Sequence, residues 1–516
     1  MSPAPGNKKR RSKASAGAHP RAGAGASAPR GQARGAARGS GGGAARAPRA
    51  AAAGGAPRAG ALHARRPPPA RAAGEQADYD RELDEWSTRK TPERPRFERR
   101  PQRDRELPPD ELGLHQGSRR PLSHTGGRVE RLSGPSELTQ AIERALSIDP
   151  ESGVRDHIHG FHSYPARLHP VTAARLIEAL TAERATVADP FCGCGTVLVE
   201  ARRLGRKAIG VDLNPLAVRL SRFKTHPLAA EQRAALLAAA EQVAEHAEER
   251  RRAAAGPTHR YGPAEREAFD IHVLLELDGL AHGIKQQPPG FTRQALLLAL
   301  SSIFSKVGRD NSAEGPSKRL ASGFTIRFFE SRVGELVRQL AEYEALLPPK
   351  AAGAIVREAD ARELAALGLR NVDLFVSSPP YPGVLDYAQY HRTRLSWLGI
   401  DAREFERLEM GARRHLQRLD HERAAAAWEA DFGKVLEAMR GALASGGLIA
   451  LVIADSLLAG KPYPADVVVE RCARRAGLEV VARGAQRRPH FHPQSARAFG
   501  DRPRHEHLLL LRRAGP

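Results

Sequence analysis

An apolar strand at 185–188 runs into Asp189-Pro190-Phe191-Cys192-Gly193-Cys194-Gly195-Thr196, and a helix begins beyond it at 197–203. This strand–loop–helix unit narrows the possible folds more than any other feature of the chain. A second strand, 208–211, ends at Asp212, and helical periodicity follows at 214–224. Strand, helix, strand, helix is the repeat of a parallel sheet covered by helices on both faces. The repeat resumes far downstream, with strands at 354–356 and 372–376, a helix at 432–443 and a strand at 448–453. A helix at 465–475 and strands at 478–482 and 507–511 complete it. Upstream, 136–146 and 171–180 carry helical apolar spacing. The expected class is α/β, a mostly parallel, doubly wound sheet.

The interval 227–350 reads as a mainly helical insertion, broken near 256–262, 286–290 and 308–317 by Gly, Pro and polar residues. Its middle, 295–303, is apolar enough to pack a core of its own. Lys306, Arg309, Lys318, Arg319, Arg327 and Arg332 suit either solvated helix faces or a module that positions nucleic-acid phosphates for target recognition.

Residues 1–74 differ in kind. They hold 15 Lys or Arg and no Asp or Glu, and so supply 15 of the 22 net positive charges. With no Val, Ile or aromatic residue, the segment cannot bury enough apolar surface to offset chain ordering, and a disordered basic tail is expected. Residues 75–134 stay charged and proline-rich and read as a linker, with ordered structure expected from near Pro135. The two parts of the α/β domain then fall at 135–226 and 351–516. A sequence pI near 10.6 favours a polyanionic partner, but most of the excess charge lies in the tail. Cys192, Cys194 and Cys472 form no disulfide framework and fit a reducing compartment. No apolar run is long enough to span a membrane, and the expected location is cytoplasmic.

Open α/β sheets bind ligands beyond the carboxyl ends of their strands, where the 189–196 loop belongs. Gly193 and Gly195 allow a sharp turn and close backbone approach to a ligand. The next helix offers its N-terminal N–H groups to a negative group. Asp212, at the end of the neighbouring strand, can accept hydrogen bonds from two ribose hydroxyls. A dinucleotide fingerprint would need glycine where Leu198 stands, and no G-x-x-x-x-G-K-[ST] phosphate loop occurs.

The second informative string is Ser377-Ser378-Pro379-Pro380-Tyr381, directly after the strand at 372–376. Alone, it is a proline turn with a packing tyrosine. The same residues also offer a hydroxyl and a carbonyl as acceptors, on a backbone that proline stiffens and strips of N–H donors.

In this order, the two strings resemble amino-directed DNA methyltransferases of the cytosine-N4 and adenine-N6 type. The match rests on D-P-F-C-G-C-G-T, on Gly210-Val211-Asp212-Leu213-Asn214-Pro215, and on Ser378-Pro379-Pro380-Tyr381. It extends to Tyr164-Pro165-Ala166-Arg167-Leu168-His169-Pro170, similar to the family segment that closes over the methionine end of the cofactor, and to Asp360 after a strand. The resemblance implies a Rossmann-like methyltransferase fold and S-adenosyl-L-methionine as cofactor. Tyr164, Pro165, Asp189, Phe191, Gly193, Gly195 and Thr196 would surround it, Asp212 would hold the ribose, and Asp360 would meet the adenine amino group. Ser378 and the Pro379 carbonyl would accept the two N–H bonds of a base amino group. Pro380 would stiffen the turn, and Tyr381 would stack on a base flipped out of the duplex. DNA is the implied partner, with RNA the alternative. A serine at the head of the turn favours cytosine N4 over adenine N6. Cytosine-C5 chemistry would need a cysteine nucleophile in the turn, and none is there. Asp386, Tyr387, Tyr390, His391 and Trp397 resemble the stretch that follows this turn, as pocket walls or as packing. The histidines at 157, 159, 162 and 169, and at 490, 492, 505 and 507, lack the spacing of a zinc site with paired cysteines, and no metal is expected.

Overall fold

The structure, a computed structural model, describes residues 127–150, 152–226, 228–309, 320–490 and 493–515. The basic tail, and the linker as far as 126, lie outside the described residues.

Ten strands occur among them: β1 (Val129–Ser133), β2 (Thr186–Asp189), β3 (Lys207–Asp212), β4 (Ile355–Glu358), β5 (Val372–Ser377), β6 (Leu443–Ala454), β7 (Ser456–Leu458), β8 (Lys461–Tyr463), β9 (Leu478–Arg488) and β10 (Arg504–Arg513). Eight form one sheet in the order β1-β9-β10-β6-β5-β2-β3-β4, and β7 pairs with β8. The run β4-β3-β2-β5-β6 is parallel throughout. β10 enters antiparallel between β6 and β9, and β1 adds antiparallel to β9. The chain steps outward from β2 to β3 to β4, then returns to β5 on the other side of β2. The topological switch point is therefore the crevice between β2 and β5, where such sheets bind ligands.

Helices cover both faces. α1 (Ser136–Leu146), α2 (Pro170–Leu180), α3 (Thr196–Arg203) and α4 (Pro215–Lys224) belong to the first part of the domain. α2 and α4 each begin with proline at the first turn, where its missing N–H is no loss. Asn214 Oδ1 caps α4 by accepting from Leu216 N at 3.0 Å. The four consecutive leucines of β10 show how the sheet divides the core. Leu508 and Leu510 join Ile142, Leu176 and Val187 on one face, whereas Leu509 and Leu511 join Phe432, Leu436 and Val469 on the other.

The insertion contains α5 (Ala230–Arg252), α6 (Pro263–Ala268), α7 (Ile271–Gln286), α8 (Phe291–Val307) and α9 (Phe324–Ala345). Its apolar middle does not form a separate core, as its hydropathy suggests. Leu296, Leu300 and Ile303 share one cluster with Phe161, Tyr164, Phe223, Leu395 and Trp397 of the α/β part. Of its basic residues, Arg332 donates to the Gly160 and Phe161 carbonyls and Arg309 pairs with Asp270 at 2.8 Å. Lys318 and Arg319 lie outside the described residues. The remaining helices are α10 (Tyr387–Trp397), α11 (Arg403–Leu408), α12 (Arg413–Leu416), α13 (His421–Ala442), α14 (Ala465–Arg475) and α15 (Pro493–Phe499).

Several sequence boundaries need correction. β1 falls inside the stretch read as linker, so the folded domain begins before Pro135; its alternation is too short and too charged to stand out. β9 extends six residues past the expected end at 482, and β10 begins three residues before 507. Those added residues include Arg488, Arg504 and Glu506, all buried, which hydropathy alone assigns to the surface.

Candidate active site

Gly193 and Gly195 turn the 189–196 loop through positive φ, at 50° and 83°. Any side chain would obstruct both positions: a Cβ on Gly193 would stand 3.2 Å from the Tyr164 ring, and one on Gly195 would meet Ser221 Oγ at 2.9 Å. The loop closes on the neighbouring strand through Asp212, whose carboxylate accepts from Gly193 N and Asn214 N, each at 2.8 Å. Burial pushes the Asp212 carboxyl up to about 6, against the opposing pull of those N–H donors.

The two informative strings meet at the switch point. Ser377 Oγ, at the end of β5, donates to Asp189 Oδ1 at 2.6 Å, and Phe191 N donates to the same oxygen at 3.0 Å. Asp189 is only 5% exposed. Burial raises its carboxyl to about 7, with the Ser377 hydroxyl opposing the rise. One buried bond thus joins segments 188 residues apart in the chain.

A cavity partly open to solvent lies over this junction. Its wall includes Tyr164, Asp189, Phe191, Gly193, Thr196, Asp212, Asp360, Ser378 and Pro380. Pro165, Gly195, Pro379 and Tyr381, also expected at the site, are not among the residues that line it. Tyr164 is held from two sides: its hydroxyl accepts from Asn214 Nδ2 at 3.2 Å, and its ring stacks on His391 at 5.0 Å. Asp360 is gripped by Arg362, whose Nε lies 2.9 Å from both carboxylate oxygens and whose Nη1 reaches Asp431 at 2.8 Å. Arg362 N also donates to Asp360 Oδ1 at 2.9 Å and Nη2 to Oδ2 at 2.5 Å, so both carboxylate oxygens are held by this one residue. Tyr381 turns its hydroxyl inward, 3.1 Å from Glu506 Oε1 and 3.3 Å from Ser378 Oγ.

Several wall residues were not legible in the sequence. Phe405, Leu408, Met410 and Val435 add an apolar side, and Glu409 a carboxylate. Glu409 accepts from Tyr387 N at 2.6 Å and so caps α10, placing the Tyr387 ring in the wall. Trp428 Nε1 donates to the Pro380 carbonyl at 3.1 Å and fixes the proline turn from behind. None of these has a spacing signal, because each reaches the site through a tertiary contact. Asn214 was findable, since Asn before Pro is a helix-start pattern. Of the aromatic stretch after the turn, Tyr387 lines the cavity, His391 and Trp397 are buried, and Tyr390 is 48% exposed.

Two histidine groups come within ligand reach of one another: His157, His159 and Glu200, and Asp455, Asp466 and His507. In both, the carboxylate is already engaged. Glu200 pairs with Arg203 at 2.7 Å, and Asp455 accepts from the backbone N–H groups of Ala465 and His505 at 2.9 Å each.

Residues 112–223, which carry the closing segment, the loop and Asp212, match the profile of the DNA methylase family N6_N4_Mtase. This part of the chain is similar to the N4/N6 DNA methylases. The chain is 36% identical over 80 residues to the Type II methyltransferase M.MvaI of Kocuria varians. It is 29% identical over 68 residues to the Type II methyltransferase M.MjaII of Methanocaldococcus jannaschii. These stretches cover 15% and 13% of this chain and only 18% and 13% of the two relatives. Among solved structures, a TehB-like S-adenosylmethionine-dependent methyltransferase from Corynebacterium glutamicum aligns at 11% identity and a TM-score of 0.25, covering 66% of this chain and 86% of its own. The rRNA methyltransferase aviRa from Streptomyces viridochromogenes aligns at 15% and 0.25, covering 60% and 83%. The Rossmann-like methyltransferase fold rests on the strand order itself, with the methylase domain's parallel run β4-β3-β2-β5-β6 and the antiparallel β10 beside it.

The cofactor of the methylase domain is S-adenosylmethionine, and the residues fit it. Gly193 keeps the loop backbone bare where a Cβ would close on Tyr164. The wall offers both acidic groups, Asp189, Asp212 and Asp360, and apolar ones, Phe405, Leu408 and Met410, the mixture that a cationic nucleoside with a flat base requires. No helix among the described residues is long and apolar enough to cross a membrane.

Proposed function

We propose that the protein methylates the exocyclic amino nitrogen of a DNA base, cytosine N4 in preference to adenine N6. The observation that carries this reading is the Ser377–Asp189 bond of 2.6 Å, which joins the proline turn to the cofactor loop and puts Ser378 in the wall of the same cavity. Bound S-adenosylmethionine supplies an electrophilic methyl carbon. Asp212 receives the ribose hydroxyls, Asp360 the adenine amino group, and Tyr164 covers the methionine end.

The amino nitrogen of a base is a poor nucleophile, because its lone pair is delocalised into the ring. Ser378 Oγ and the Pro379 carbonyl accept its two N–H bonds and draw the nitrogen toward tetrahedral geometry, which frees the lone pair for the methyl carbon; the N–C bond forms as the methyl–sulfur bond breaks to leave a neutral thioether, and the surplus proton of the nitrogen passes to solvent. Trp428 and the two prolines hold those acceptors still, so the rate gain comes from positioning and fixed dipoles. Serine at the head of the turn is the ground for preferring cytosine.

The test is to incubate the pure protein with methyl-labelled cofactor and, separately, duplex DNA, single-stranded DNA and tRNA, then digest to nucleosides. N4-methylcytosine from DNA is the expected product. N6-methyladenine would move the base assignment, and label confined to RNA would overturn the DNA reading.

A further inference from the structure

Behind the proline turn, on the side away from the cavity, lies an ion pair that the chemistry above does not use. Arg488 of β9 and Glu506 of β10 meet at 2.5 Å, with side chains 1% and 4% exposed. A pair so deeply buried is seldom favourable for stability alone, since desolvating two charges offsets their attraction. Its place suggests another reason. Glu506 Oε1 lies 3.1 Å from the Tyr381 hydroxyl, and that hydroxyl lies 3.3 Å from Ser378 Oγ.

Three groups in a row fix the direction of every proton between them. The Glu506 carboxylate, paired with a guanidinium, can only accept. The single proton of Tyr381 is therefore given to Glu506 at 3.1 Å in preference to the Val452 carbonyl at 3.5 Å, and the phenol oxygen turns a lone pair toward Ser378. Ser378 then gives its own proton to Tyr381. Its remaining lone pairs face the cavity, and the serine is committed as an acceptor toward whatever approaches from that side. An unoriented serine hydroxyl could equally offer its proton to the base amino group, the wrong polarity for that group.

We infer that Glu506, held by Arg488, is a positioning residue for the proline turn, which makes Ser378 an obligate hydrogen-bond acceptor through Tyr381. This rests on the proposed amino-methylation of a base. Burial and the Glu506 charge both oppose ionisation of the Tyr381 phenol, which keeps its proton available for the chain.

The experiment uses the full-length protein and three variants, Glu506→Gln, Tyr381→Phe and the double variant. An amide at 506 can donate as well as accept, so Tyr381 can reverse and the serine proton is released toward the cavity. Glu506→Gln lowers kcat by roughly 10- to 100-fold, with KM for DNA and cofactor affinity within about twofold. Tyr381→Phe, which keeps the ring, lowers kcat similarly. The double variant is no slower than Tyr381→Phe, because the chain is already broken. Additive losses, or an unchanged kcat with only a lower Tm, would overturn the inference.

A readout independent of turnover separates this inference from the DNA reading. The Raman Fermi doublet of tyrosine, taken as the difference between wild type and Tyr381→Phe, reports whether the phenol donates or accepts. Donation to a carboxylate is stronger than donation to a serine hydroxyl, so the donor character of Tyr381 should be higher in the wild type than in Glu506→Gln. A donor signature with no methyl transfer to DNA would leave the chain standing and sink the substrate reading. Methyl transfer without the donor signature would do the reverse.

Discussion

The two halves of the sheet carry the site in different ways. On the parallel side, β2, β3 and β5 each end in a short segment whose backbone does the work: glycines at positive φ, prolines without N–H groups, an aspartate accepting from backbone N–H groups. On the antiparallel side, β9 and β10 contribute buried charges that bear on the site through side chains alone, as in Arg488–Glu506–Tyr381. The contrast concerns the kind of information that sequence holds. A loop shape is written in adjacent residues. A buried ion pair between two strands is written nowhere locally, because neither partner looks different from a surface charge until the strands are paired.

The sharpest way to separate the two halves is to remove one group from each working segment of the parallel side. Ser378→Ala should lower kcat by roughly 10²- to 10³-fold, with cofactor affinity by calorimetry unchanged. A full rate would show that the turn is only packing. Asp212→Ala should weaken cofactor binding by about 10- to 100-fold, measured by the same titration. Part of that loss comes from freeing the Gly193 and Asn214 N–H groups that the carboxylate holds.

A pH test reaches the junction itself. The Asp189 carboxyl rises from 3.8 to about 7 in the folded protein, so the protonated form is the one the fold favours. The stability it contributes is complete below about pH 4 and is lost as pH rises through about 7, an effect on the order of a few kcal/mol. Asp189→Asn keeps both hydrogen bonds, because Ser377 Oγ and Phe191 N share the one oxygen Oδ1. Its Tm should therefore fall less than that of the wild type between about pH 5 and 8 in a thermal-denaturation series. Equal slopes would show that Asp189 is not the group responsible. The smallest effect belongs to Trp428→Phe, which removes one hydrogen bond to the Pro380 carbonyl and should cost about 1 kcal/mol, a loss of a few-fold in kcat.

Most of the α/β order was legible because the strands of the parallel run are nearly all apolar and their loops carry Gly, Pro and Asp. The strand 185–188 and the turn at 377–381 fall where they were expected. β1, the outer turns of β9 and the start of β10 were not legible, for the reason that Arg488 and Glu506 illustrate. The insertion, read as mainly helical, carries α5 to α9, and its apolar helix α8 shares a core with the α/β part instead of building its own. Hydropathy states that a helix face is covered without stating by what. In the site, motif residues such as Gly193, Asp212 and Ser378, which line the cavity, were legible as candidates. Supports that reach across the fold, such as Trp428, Glu409 and Arg362, were not.

A crystal structure with the product S-adenosylhomocysteine would show whether the two strings serve one reaction. The ribose hydroxyls should lie on Asp212 and the sulfur should face Ser378 across the cavity. A sulfur directed away from the Ser378 turn, or a ligand bound elsewhere in the fold, would contradict it.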